Sequence, residues 1–62
     1  MEPMTKKQME ITKLALSLRY YQHTIAAYFG FNQGRVSEFK NGSDFRSVKP
    51  AKSLPRDFPL PR

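Results

Sequence analysis

The chain has 62 residues, with eleven Lys and Arg against five Asp and Glu, a formal charge of +6 and a pI near 10.1. It lacks cysteine, which excludes disulfides and thiolate metal sites, and one histidine with five scattered carboxylates offers neither a metal site nor an acid–base dyad. This length allows a single small domain near the lower limit for a core that folds unaided, and the charge suits a polyanionic partner.

Residues 1–4 read as a frayed N-terminus. Thr5-Lys6-Lys7-Gln8 fits a capping box, in which the Thr5 hydroxyl and the Gln8 side chain satisfy amides that a helix start leaves without partners. Ile11, Leu14, Ala15 and Leu18 then recur at i, i+3, i+4 and i+7, one apolar stripe of a first helix over residues 5–19. Met9 and Leu16 lie off that stripe, and Leu16 is placed to serve a second contact face. Arg19-Tyr20-Tyr21 connects to the next helix without the Ser, Thr or Asp that usually caps one. The tyrosines are expected to pack on the first helix with their hydroxyls at the surface.

A second helix is predicted over residues 22–29 and ends at Gly30, which adopts positive φ freely and so redirects the chain. Asn32 is a good cap for a third helix over residues 33–41, stopped by Gly42. Ile25, Phe29, Phe31, Val36 and Phe39 are spaced to fill the wedge between these two helices, and the small Ala26 lets them cross closely. Tyr28 falls on the exposed side. No segment alternates with period two, so the fold class is all-α.

Beyond Gly42 the composition shifts. SDFRSVKPAKSLPRDFPLPR holds four of the five prolines, at Pro50, Pro55, Pro59 and Pro61, and its five basic against two acidic residues give +3. Prolines at that density forbid a long helix or a paired strand. Residues 43–48 are expected to fold back, with Phe45 and Val48 capping the core. Residues 49–62 read as a flexible or extended basic, Pro-rich arm.

IAAYFGFNQGRVSEFKNG, within residues 22–42, resembles the IA…LGVSQ…VS…NG pattern of small bacterial and phage helix-turn-helix proteins, with phage-repressor-like or resolvase-like three-helix units. The resemblance covers about a third of the chain. It implies a sequence-specific, double-stranded DNA-binding regulator, such as a repressor, whose third helix enters the major groove. The base-contact candidates are then Gln33, Gly34, Arg35, Ser37 and Glu38. Gln33 suits adenine, Gly34 permits close backbone approach, Arg35 suits guanine or phosphate, and Glu38 suits cytosine N4 but opposes phosphate. Phosphate contacts fall to Gln22, His23, Thr24 and Asn32 on one side and to Lys40, Asn41 and Ser43 on the other.

One unit reads only about 4–6 base pairs, so a homodimer or a cooperative homo-oligomer is expected. No cofactor, catalytic residue or metal is expected, and the chain is not read as an enzyme. It has no apolar run near the roughly 20 residues that span a bilayer, and no signal-peptide core, so the expected location is cytoplasmic and nucleoid-associated. Two alternatives stand beside the regulator. One is an architectural or recombination accessory factor, excisionase-like, binding DNA cooperatively. The other is an antitoxin-like module that holds a protein partner through Leu54, Phe58 and Leu60 of its arm.

Overall fold

The computed structural model describes residues 4–59. They form four helices in the order α1 (Lys6–Ser17), α2 (Gln22–Phe29), α3 (Gln33–Asn41) and a single turn, α4 (Asp44–Ser47), with no strand among the described residues. Helix α2 packs most extensively on α3, and α1 lies against both.

The cap of α1 forms as its residues dictate. The Gln8 amide donates to Thr5 Oγ1 at 3.1 Å and the Thr5 amide donates to Gln8 Oε1 at 2.9 Å. The helix stops at Ser17, two residues short of the sequence expectation, because Arg19 takes a left-handed conformation with φ 70°. That turn lets the Tyr20 amide donate to the Ala15 carbonyl and the Arg19 amide to the Leu16 carbonyl, closing the last turn of the helix. Glycine usually fills such a position, and its absence hid this helix end from the sequence pattern.

The same pair of bonds ends α2, this time with glycine in place. Gly30 has φ 79° and ψ 20°, the Phe31 amide donates to the Ala26 carbonyl at 2.9 Å, and the Gly30 amide donates to the Ala27 carbonyl. After the three-residue turn, Asn32 caps α3 by accepting from the Arg35 amide at 3.2 Å. The bounds of α2 and α3 agree with the sequence expectation.

Ile11 and Ala15 of α1, Tyr20 of the connection, Ile25 and Ala26 of α2, Val36 of α3 and Phe58 form one buried cluster. Within α1, Thr12 is also fully buried, and its hydroxyl has no partner among the described residues. Met4, expected to fray with residues 1–3, is buried and lines a shallow depression with Met9 and Phe39. Residues 1–3 lie outside the described residues.

Residues 43–48 fold back as expected and are held by Lys13. Its Nζ donates to the Phe45 carbonyl and, at 2.7 Å, to the Val48 carbonyl, and it lies 4.8 Å from the Phe45 ring centroid. The Phe45 ring in turn meets Phe39 edge-on, with centroids 5.4 Å apart. A single helical turn too short to persist alone is thereby fixed to α1 and α3.

The largest departure concerns the arm. Residues 51–59 have no regular secondary structure, yet they form a strap across the helices and complete the core. The Ala51 amide donates to the Glu10 carbonyl at 3.0 Å, and Ala51 and Leu54 pack against the buried cluster. Phe58 is only 8% exposed, with its ring centroid 4.5 Å from Tyr28, 5.1 Å from Tyr20 and 6.5 Å from Phe29. Tyr20 packs as expected but its hydroxyl, expected at the surface, is taken up by the strap, and Tyr28, expected on the exposed side, is half-buried by it. The buried Tyr20 donates its hydroxyl to the Pro59 carbonyl at 2.6 Å, and the half-buried Tyr28 donates to Asp57 Oδ1 at 2.7 Å. Folding back also accounts for the radius of gyration of 10.4 Å, the value of about 10–11 Å expected for a closed domain of this length. Residues 60–62, the end of the expected arm with Leu60 and Pro61, lie outside the described residues.

Candidate nucleic-acid interface

Helix α3 buries Val36 and Phe39, and this alone decides which of its residues face outward. At about 100° per residue, the direction opposite the buried pair passes through Gly34, Asn41, Ser37 and Glu38, with Gln33 at one flank and Arg35 at the other. Gln33, Gly34, Glu38, Lys40 and Asn41 are exposed, whereas Arg35 and Ser37 are half-buried. Small polar side chains thus occupy the middle of this face, and one carboxylate lies among them.

Arg35, at the flank of this face, is half-buried. It lines a shallow depression of about 200 Å³ on the side of α3, in company with Glu38, Asp44, Met4 and Met9. A side chain at the flank of the helix is less directly aimed at a base edge than an outward one. The sequence pattern missed this because Met4 and Asp44 are forty residues apart in the chain.

The phosphate-contact candidates divide into two groups. Gln22, His23 and Thr24 open α2, whose preceding residue, Tyr21, makes no side-chain cap. The Thr24 and Ile25 amides both donate to the Tyr21 carbonyl, leaving the Gln22 and His23 amides with no backbone acceptor among the described residues. Two free amides and the positive end of the helix dipole face solvent there. His23 is exposed and stacks on Tyr21 with centroids 5.4 Å apart. Asn32, in contrast, commits its side-chain oxygen to capping α3, so only its amide nitrogen remains to donate. Lys40, Asn41 and Ser43 are all exposed at the other end of α3.

Between these groups lies a groove of about 610 Å³, bounded by the end of α1, the start of α2, Lys40 of α3 and Phe45 of α4. No helix among the described residues is long and apolar enough to cross a membrane. No family model, curated protein or solved structure matches this chain.

Proposed function

We propose that the chain is a sequence-specific, double-stranded DNA-binding regulator in which α2 and α3 act as a helix-turn-helix. The observation that carries this reading is the pairing of two short helices across a left-handed glycine, with Ile25, Ala26, Val36 and Phe39 buried and a row of small polar residues left outward on α3. A helix whose outward face is mostly short, with Gly34, Ser37 and Asn41 at its middle, can approach base edges in the major groove closely. The uncapped start of α2 supports the same reading, since free amides at a helix N-terminus suit phosphate.

Gln33, Gly34, Ser37 and Glu38 are then the residues that meet bases, while Arg35 acts from the edge, nearer the phosphates. The outward face itself carries Glu38, so the attraction to DNA comes from around it, with Lys40 at its edge and the net charge of +6 behind it. A dimer or cooperative assembly supplies the remaining specificity. The strap bears on the antitoxin-like alternative: Leu54 and Phe58, two of the three residues on which arm-mediated partner binding rests, are already packed against this chain's own helices.

Selection of bound DNA from a random pool, followed by sizing of the complex, tests the proposal. An enriched palindrome bound by two protomers is the expected result. Exchange of Ser37 and Gln33 should change the selected bases, each good contact being worth about 1–3 kcal/mol of discrimination. Sharp bending with weak enrichment would favour the architectural role, and no retention of DNA would end the DNA-binding reading.

A further inference from the structure

The groove between α1, α2 and α4 has apolar walls that the DNA-binding reading does not require. Its walls are apolar: Leu16 of α1, the rings of Tyr20 and Tyr21, Phe45 and Pro50. Its volume of about 610 Å³ falls within the roughly 300–1,000 Å³ range of small-molecule sites, which are mostly apolar with a few convergent polar groups. The polar groups here carry one sign of charge. Lys13, Arg19 and Lys40 line the groove, and no carboxylate does so among the described residues.

Each cation has hydrogen-bonding capacity left. Lys13 uses two of its three N–H donors on the Phe45 and Val48 carbonyls, which fixes the ammonium in place and leaves the third available. Arg19 and Lys40 are exposed and make no ion pair among the described residues. Gln22 also lines the groove, at the uncapped start of α2. The floor is kept rigid, because Tyr20 is buried and tied to Pro59, and Phe45 is held by Lys13 and Phe39.

We propose that this groove is a binding site for a small amphipathic carboxylate, its aryl or alkyl body against Leu16, Tyr20, Tyr21 and Phe45 and its carboxylate among Lys13, Arg19 and Lys40. Charge decides the occupant. A second copy of this chain, at net +6, is disfavoured at this cationic groove, so the assembly proposed above uses another surface, whereas an organic anion is attracted by the charges and desolvates only its apolar end. The site lies beside the outward face of α3 and uses neither Gly34, Ser37 nor Glu38, but it shares Gln22 and Lys40 with the phosphate-contact candidates.

The test uses 4-phenylbutyrate as the probe and 4-phenylbutyramide as its uncharged match, with affinity from calorimetry and location from amide chemical shifts of the full chain. The acid is expected to shift Leu16, Tyr20, Tyr21, Gln22 and Phe45, and to bind about tenfold more tightly than the amide, the scale of one charge-assisted hydrogen bond. A double variant, Arg19→Gln with Lys40→Gln, alters two exposed side chains and is expected to fold while losing that preference. Equal binding of acid and amide, no shifts at millimolar acid, or shifts confined to other surfaces would each overturn the proposal. So would groove resonances that respond to protein concentration alone, which would make the groove an interface between copies. These measurements need no DNA and are independent of the DNA-binding reading.

Discussion

Phe58 offers the sharpest test of how this small chain is held together. It lies in a segment without regular structure, yet it is 8% exposed and touches three aromatic rings. Removing a buried phenylalanine ring costs about 3–5 kcal/mol in a core that cannot collapse around the gap. A domain of this length has a total stability of about 3–9 kcal/mol, so Phe58→Ala is expected to remove a large share of it. At about 4–8 °C per kcal/mol, the melting temperature should fall by at least about 12 °C. The loss also has a ceiling, because the strap can peel away as a unit. Once it does, Leu54→Ala adds less on top of Phe58→Ala than it costs alone, a non-additivity that a double-mutant cycle measures. Thermal and urea unfolding followed by circular dichroism give both quantities. A melting temperature within about 2 °C of the parent chain would refute the strap as part of the core, since surface changes stay within about 0.5 kcal/mol.

Other expectations follow from single residues. Gly30 has φ 79° and nothing within 4 Å of where a Cβ would stand, so substitution there costs backbone strain rather than crowding. Gly30→Ala should cost about 1–2 kcal/mol, Gly30→Asn less and Gly30→Val more; a ranking by size alone in thermal unfolding would refute this. Arg19→Gly removes the strain of a left-handed arginine against glycine's greater freedom when unfolded, for a net gain of up to about 1 kcal/mol. A destabilised variant would mean that the Arg19 side chain contributes more than its backbone costs. The Tyr28 phenol is held above its ordinary value of 10.0, first by its hydrogen bond to Asp57 and then by desolvation and the Asp57 charge. The native state therefore keeps this proton when the unfolded chain has lost it. The stabilisation is complete below the unfolded value and fades as pH rises through the native one. Denaturation of Tyr28→Phe beside the parent chain should show a stability difference that shrinks at alkaline pH; a constant or growing difference would contradict the assignment.

Features written in local side-chain chemistry were legible in the sequence. Thr5 with Gln8, Asn32 and Gly30 each act within three or four residues of themselves, so their types and spacing reveal the helix ends. The outward face of α3 follows from Val36 and Phe39 by periodicity alone. Arg19 was not legible, because no side chain marks an ordinary residue in a left-handed turn. The strap was not legible for a different reason. Phe58 meets Tyr20 and Tyr28 from far along the chain and belongs to no periodic pattern. The flanking prolines suggested looseness, yet by restricting φ they also lower the entropy lost when an extended segment docks. At the candidate interface, the depression that Arg35 lines brings together Met4 and Asp44, a pairing that only the fold creates.

The central claim is that this basic domain binds duplex DNA through α3 and the start of α2. A titration of the selected duplex against the full chain at stepped salt concentration tests it most directly. With about 4–6 phosphate contacts per protomer, log affinity should fall linearly with log salt at a slope of about −4 to −5, steeper for a dimer. Ser37 and Gln33 variants should keep that slope while losing preference for the selected sequence. A flat salt response, or full sequence preference after both residues are replaced, would contradict the account.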